Sequence, residues 1–136
     1  IALIMFTCAP SYAKLRNSIY RSMTYEQIKL DLKRAKSMAL AEGARSVLSI
    51  DNGNSNYTFG LDFPPYNSPA AADSVSFYTY FPENITLSSA ETVVFNAQGQ
   101  LIDSSEDLNE TTITMKLDGT TFATLDLYAS GFAVKQ

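Results

Sequence analysis

The sequence predicts an α+β protein in which one long N-terminal α-helix packs on an antiparallel β-sheet or β-sandwich. Two observations support this fold class. Residues 12–41 place apolar residues at helical spacing among charged ones, without Gly or Pro. After Gly43 the apolar residues alternate with a period of two in short runs between polar loops. We therefore predict an N-terminal helix over residues 1–42 and a globular antiparallel β-domain over residues 43–136.

Composition limits the possible functions. A chain of 136 residues with 46% hydrophobic residues fits one domain with one core. Ten Lys and Arg against 14 Asp and Glu argue against a nucleic-acid binder driven by electrostatics. The chain has no histidine and a single cysteine, which excludes His-based catalytic dyads and triads, most zinc sites and an internal disulfide. We predict no enzymatic activity, no cofactor and no metal.

The chain opens with an apolar run from Ile1 to Ala9. This run is less than half of the roughly 20 residues that a helix needs to cross a bilayer. We interpret residues 1–11 as the remnant of a longer transmembrane segment. The alternative is a short buried segment.

From Tyr12 to about Ala41, apolar residues form two stripes on opposite sides of the predicted helix. The first stripe comprises Tyr12, Leu15, Ile19, Tyr20 and Met23, and the second comprises Tyr25, Ile28, Leu32, Ala35 and Ala39. We predict that the second stripe covers the chain's own β-domain and leaves the first for another subunit or a membrane surface. The alternative is a kinked helix that packs both stripes into one core. Gly43 follows the last periodic residues and is predicted to cap the helix.

The β-domain is predicted to begin with two strands, Ala44–Ile50 and Tyr57–Leu61, joined by a hairpin loop over residues 51–56. The proline-rich segment Phe63–Asp73 is predicted to be a loop or edge crossing. In the next strand one aliphatic and aromatic face is expected, made of Val75, Phe77, Thr79 and Phe81. Residues 92–96 form another predicted strand.

The strongest local signal is a β-hairpin with the two-residue turn Asp118-Gly119. Regular pairing around this turn places Met115 opposite Phe122 on the core side of the sheet. Asp126, in the returning strand, is predicted to occupy an outward-facing polar position. The chain then turns near Gly131 and ends in a short segment over residues 132–136.

Three groups of residues are candidate ligand sites. The loop that starts at Asp51 has Asp62 at the twelfth place of a calcium loop but lacks other ligands and the glycine at the sixth position. The acidic run is Asp103, Glu106, Asp107 and Glu110, and we favour a solvated loop over a calcium site. Tyr78 and Tyr80 could stack on a ligand, but packing is the preferred interpretation.

Several short patterns, in this order along the chain, resemble one known family. They are the apolar segment reaching Ala9-Pro10-Ser11-Tyr12, the helix end at residues 32–40 followed by the strand Ser46-Val47-Leu48, the strand and turn of residues 93–99, and a closing Thr-rich hairpin. Together they resemble the GspH/FimT-like type IV pilin superfamily, the minor pseudopilins of type II secretion and minor type IV pilins. The family's prepilin start, with a methylated Phe and an early Glu, is not in this sequence, and the resemblance places it upstream of Ile1.

The resemblance implies a structural subunit that assembles into or primes a pseudopilus or pilus. Its implied partners are other pilin or pseudopilin subunits, with the inner membrane as the site before assembly and a periplasmic or extracellular β-domain. The implied subunit contacts on the helix are Ile1, Leu3, Ile4, Met5, Phe6, Leu15, Ile19 and Met23. In FimT-like DNA receptors a basic motif follows a C-terminal glycine, but here Gly131 precedes Phe132-Ala133-Val134-Lys135. The alternative function is a membrane-stalked domain that binds a ligand or DNA.

Overall fold

A computed structural model describes residues 2–51, 53–67, 70–89, 92–103, 105–130 and 133–135, with side chains between Tyr12 and Ser130. Helix α1 (Ala2–Glu42) is followed, within these ranges, by β-strands only. They are β1 (Arg45–Ile50), β2 (Asn56–Asp62), β3 (Ser74–Tyr80), β4 (Ile85–Ser89), β5 (Val93–Phe95), β6 (Leu101–Ile102), β7 (Thr111–Leu117), β8 (Thr120–Leu127) and β9 (Ala133–Lys135). This architecture confirms the predicted α+β fold class.

Helix α1 ends at the predicted glycine cap. Gly43 has a φ of 60°, a left-handed conformation that glycine adopts without steric cost. The next amide, that of Ala44, donates a hydrogen bond to the carbonyl of Ala39 at 3.3 Å. This bond satisfies a carbonyl of the last helical turn and directs the chain into β1.

The strands form two antiparallel sheets around one core. The first sheet has the order β3-β2-β1-β5-β6, and the second has the order β4-β7-β8-β9. Ile28 and Leu32 of α1 are buried together with core residues of both sheets. These sheet residues include Leu48, Phe59, Phe95, Leu87, Ile113, Met115 and Leu125. The second helical stripe therefore covers the β-domain, as predicted.

The opposite face of the first sheet has a smaller core of its own. Val47, Val94 and Ile102 are buried there, and Ala70 and Ala72 pack against them. These two alanines belong to the proline-rich segment, which crosses this face of the sheet as a loop. The first sheet is thus covered on both sides, by α1 on one and by this loop on the other.

The β7–β8 hairpin corrects one predicted pairing. Asp118 and Gly119 have φ values of 50° and 79°, as a type I′ turn requires. A bulge then shifts the register, so that Met115 pairs with Ala123 and not with Phe122. Without the bulge, Thr124 and Asp126 would face the core. The shift instead buries Ala123, Leu125 and Leu127.

A similar irregularity corrects the predicted face of β3. Phe59 pairs with Phe77 but Gly60 pairs with Val75, so Ser76 is skipped in the ladder. The alternation of β3 changes at this point, and Val75 is exposed although Phe77 and Thr79 turn inward. Asp126 does take the predicted outward position, where it accepts a hydrogen bond from Thr112 at 2.9 Å.

Strand β4 was not predicted from the sequence. Ile85, Leu87 and Ser89 point into the core, and the strand pairs with β7. Its other edge contacts the loop between β1 and β2. The amide of Gly53 donates to the carbonyl of Leu87 at 2.9 Å, and the amide of Leu87 donates to the carbonyl of Asn54 at 3.0 Å. This loop therefore links the two sheets.

Candidate subunit-interface site

One apolar stripe of α1 is not covered by the core of the β-domain. Tyr12, Leu15, Ile19 and Met23 are 67%, 60%, 46% and 58% exposed. They recur at intervals of three or four residues and therefore line one side of the helix. We call these four residues the exposed face of α1. The kinked alternative, with both stripes in one core, does not describe this arrangement.

The predicted contact residues fall into two groups. Leu15, Ile19 and Met23 belong to the exposed face of α1. Leu3, Ile4, Met5 and Phe6 lie in the first turns of α1, but their side chains are outside the described residues, as is the whole of Ile1. Among the described residues, α1 contains no stretch that is both long enough and apolar enough to span a bilayer.

Charge is divided unevenly between the helix and the β-domain. Residues 2–42 contain seven basic residues (Lys and Arg) and three acidic ones (Asp and Glu). Residues 43–136 contain three basic residues and eleven acidic ones. One of the three helical acids, Asp31, is buried. The solvent-facing surface of α1 is therefore basic, and that of the β-domain is acidic.

A buried carboxylate connects α1 to the first sheet. Asp31 is 3% exposed, and its carboxylate accepts hydrogen bonds from Thr79 at 2.8 Å, from Gln27 at 3.0 Å and from the Tyr57 hydroxyl. Burial, reinforced by the hydrogen bond and the charge of Asp31, raises the pKa of Tyr57 far above its ordinary range. The proton therefore stays on Tyr57, and these bonds hold the helix at one position on the sheet.

This anchor was not predicted from the sequence. Asp31 lies three residues after Ile28 and four before Ala35, which places it on the buried stripe. That periodicity was the available signal. Its partners Tyr57 and Thr79 come from two strands, so spacing along the chain could not have identified them.

A second buried ionic group fixes the loop on the opposite face. Arg45 and Asp62 form an ion pair at 3.3 Å, with side chains that are 6% and 0% exposed. The guanidinium also donates to the carbonyl of Asn67 at 3.1 Å and lies 4.1 Å from the ring centre of Tyr66. Because these contacts reach residues 66 and 67, they hold the proline-rich loop against the sheet.

The acidic segments take part in ordinary contacts. Asp62, the twelfth residue of the suspected calcium loop, is buried with Arg45 and does not face that loop. In the acidic run, Asp103 accepts backbone hydrogen bonds from Ser105 at 2.8 Å and Asp107 at 3.1 Å, which closes a tight turn. Glu106 lies 3.4 Å from Arg45. Within the described ranges no three acids or cysteines are grouped as a metal site would require.

Solved structures of known proteins share this architecture. The type IV minor pilin FimU of Pseudomonas aeruginosa superimposes with a TM-score of 0.67 at 16% identity, over 89% of this chain and 90% of FimU. A second crystal form of FimU superimposes with a TM-score of 0.61 at 16% identity, over 82% of this chain and 88% of FimU. The minor pseudopilin EpsH from the type 2 secretion system of Vibrio cholerae superimposes with a TM-score of 0.56 at 14% identity, over 85% of this chain and 94% of EpsH.

Sequence comparison alone does not reach these proteins. No protein-family profile matches the chain, and no protein of curated function matches it significantly. The structural agreement extends over more than four fifths of both chains in each case. The chain therefore has the fold of the minor pilin FimU and the minor pseudopilin EpsH, which is the pilin fold that its sequence patterns indicated. The matched structures are of a minor pilin and a minor pseudopilin, and neither description is that of an enzyme.

Proposed function

We propose that this chain is a minor pilin or pseudopilin, a structural subunit that assembles into or primes a type IV pilus or a type II secretion pseudopilus. The observation that carries the proposal is the exposed face of α1. Leu15, Ile19 and Met23 remain 46–60% exposed, although the other stripe of the same helix is buried. A pilin fold combined with an uncovered apolar helix face suits association through that helix.

Burial of this face supplies the driving force in the proposed assembly. Each large apolar side chain that moves from water into a packed contact contributes about 1.5–3 kcal/mol when fully buried. The face is partly covered already, so the gain for each residue lies at the lower end of this range. Leu15, Ile19 and Met23 together would offset a useful part of the entropy lost when two subunits associate.

The first turns of α1 extend the same contact in the proposed arrangement. Ile1, Leu3, Ile4, Met5 and Phe6 would lie in the inner membrane before assembly and in a bundle of helices afterwards. Apolar packing against neighbouring helices then replaces contact with lipid. The β-domain would stay on the periplasmic or extracellular side throughout and form the outer surface of the filament.

The uneven charge supports a defined order of subunits. A basic helix surface on one subunit would meet acidic β-domain loops on the next, and like-charged arrangements would be disfavoured. Such pairs act mainly on the choice and orientation of the partner, because exposed ion pairs add little affinity.

The experiment that tests the proposal substitutes one residue of the exposed face. Leu15→Glu should abolish co-purification with the partner pilins in the bacterium that makes the protein and should leave the thermal unfolding midpoint unchanged. Leu40→Glu is the matched control, since Leu40 is 51% exposed but lies near the C-terminal end of the same helix, beyond the last residue of the exposed face. Normal assembly of the Leu15→Glu protein would exclude this role for the helix and favour the membrane-stalked binding domain.

A further inference from the structure

A groove of about 600 Å³ runs between α1 and strand β3. Its helical wall is formed by Tyr20, Met23, Thr24, Glu26, Gln27 and Leu30. Its other wall is formed by the five consecutive residues Tyr78–Pro82. Side chains of a strand alternate between its two faces. Three of these residues, Tyr78, Thr79 and Tyr80, follow one another in β3, so this wall includes the edge of the strand's main chain, and Phe81 and Pro82 continue the wall past the strand's end.

Strand β3 is the outermost strand of the first sheet, and its only paired neighbour in the described chain is β2. Two other outer strands have their edges occupied. Gly53 and Asn54 bond to β4, and the amide of Asn109 donates to the carbonyl of Leu101 in β6 at 3.0 Å. The edge of β3 instead opens into the α1–β3 groove.

Apart from the bulge at Ser76, the sequence of β3 contains none of the usual protection for an open edge. Ser74–Tyr80 includes no charged residue and no proline, and its residues favour extended conformation. Edge strands commonly carry Lys, Pro or a covering loop, because an unpaired row of amides and carbonyls recruits other chains. The bulge lies at Ser76, which leaves residues 77–80 regular next to the groove.

The side chains around the groove suit the two faces of an added strand. Met23 and Leu30, on the helix, are 58% and 60% exposed. Tyr78 and Tyr80, on β3, are 58% and 70% exposed, and their rings stack at 6.1 Å. A strand beside β3 would turn alternate residues toward α1 and the remaining ones toward the two tyrosines. A strand in which apolar and small polar residues alternate suits both sides of this arrangement.

Two charged residues of α1 give the groove a direction: Glu26 in its wall, and Arg34, one turn of the helix beyond Leu30. Asp31 contacts Thr79, and Arg34 lies 4.3 Å from the ring centre of Phe77. Helix and strand are therefore antiparallel here, which places Glu26 toward Pro82. Glu26 is the one charged residue that lines the groove. An antiparallel strand would bring its first residues to Glu26 and its last residues to Arg34.

We propose that the α1–β3 groove binds an extended segment of a partner protein as an additional antiparallel strand on β3. The segment carries a basic residue at its N-terminal end, an acidic residue at its C-terminal end and alternating apolar residues between them. A second copy offering its own β3 is not the occupant, because Ser74–Tyr80 has no charge to place against Glu26 or Arg34.

The test uses a fluorescent synthetic peptide, KKVTVTVEE, and the purified protein. Binding followed by anisotropy should weaken by about tenfold or more when alternate amides of the peptide are N-methylated, because the hydrogen bonds to β3 are lost. The charge-reversed peptide EEVTVTVKK should bind about two- to fivefold more weakly. Equal binding of the methylated peptide would show that the groove accepts side chains without strand pairing, and would overturn the proposal.

Two leucines on α1 provide the protein controls. Leu30 lines the groove and Leu15 does not, and both are 60% exposed. Leu30→Glu should abolish peptide binding, whereas Leu15→Glu should leave it unchanged. The proposal is wrong if Leu30→Glu binds the peptide like the unaltered protein, or if no binding occurs at millimolar peptide. Met23 belongs to both surfaces, but Leu15 belongs only to the exposed face of α1 and Leu30 only to the groove. Loss of assembly in Leu15→Glu and loss of peptide binding in Leu30→Glu are therefore separate outcomes.

Discussion

Asp31 of α1 and Tyr57 of β2 share a buried hydrogen bond across the interface between the helix and the first sheet. Thr79 of β3 donates to the same carboxylate, so two neighbouring strands bond to one helical side chain. No Lys or Arg is bonded to Asp31 within the described chain. The charge is stabilised by hydroxyl and amide donors, which makes each donor important.

Removal of this carboxylate should destabilise the fold strongly. We expect Asp31→Ala to lower the free energy of unfolding by about 2–4 kcal/mol, because the Tyr57 and Thr79 hydroxyls would lose their acceptor in the core. Urea denaturation measures the change. Asp126→Ala is the control, since the bond of Asp126 to Thr112 lies on the exposed face and its loss should cost about 0.5 kcal/mol or less. Similar losses for the two variants would contradict the anchor.

Stability should fall in alkaline solution through Tyr57. Burial and Asp31 raise the pKa of Tyr57 in the folded protein, whereas the unfolded chain ionises near the ordinary value of about 10. The contribution is therefore complete below pH 10 and is lost as pH rises above it, by about 1.4 kcal/mol per pH unit. We expect the unfolding free energy of the unaltered protein to drop more steeply than that of Tyr57→Phe between pH 9.5 and about 11. Parallel curves would disprove this assignment.

Removal of Arg45 from its ion pair with Asp62 should destabilise the fold. Arg45→Met would leave the fully buried Asp62 without its counter-charge, at an expected cost of about 3–5 kcal/mol in unfolding free energy. The double substitution Arg45→Met with Asp62→Leu should recover much of this loss, because no isolated charge remains. Glu106→Gln should be nearly silent, since that side chain is 67% exposed. A double variant as unstable as Arg45→Met would argue against the electrostatic origin.

The close approach of β2 to the start of β3 should make Gly60 sensitive to a methyl group. A Cβ at Gly60 would lie 2.3 Å from the carbonyl oxygen of Ser74 and 2.5 Å from Cβ of Ala72. We expect Gly60→Ala to cost about 3 kcal/mol through overpacking. Gly43→Ala meets no atom within 4 Å and suffers only its positive φ, about 1 kcal/mol. Thermal unfolding distinguishes them, and a reversed order would refute the steric account.

The sequence predicted the elements whose signals are local. Spacing and backbone preferences within a few residues predict the helix with its two apolar stripes, its glycine cap and the Asp118-Gly119 turn. Strand β4 was missed because its five residues end in two serines, and its partner β7 lies more than twenty residues further along. The bulge opposite Met115 was missed because burial of Leu125 and Leu127 decides the register, and that depends on the whole core.

The candidate site was only partly predictable for the same reason. The exposed face of α1 could be proposed from helical period, since the second stripe accounts for the β-domain. The α1–β3 groove depends on which strand is outermost in the sheet and on how the helix crosses that sheet. Neither can be predicted from short stretches of sequence. Asp31 lies between these cases, because its position on the buried stripe is readable but its partners are not.

The position of Asp31 along α1 has a mechanical consequence. Tyr12, Leu15 and Ile19 are exposed, while Ile28, Leu32 and Ala35 are packed in the core. A force along the helix axis is resisted where the helix is held, and sliding by one turn moves a residue by about 5.4 Å. Such a slide would break the bonds of Asp31 to Tyr57 and Thr79 together. The buried carboxylate should therefore resist sliding of α1 along its axis more strongly than apolar packing alone would.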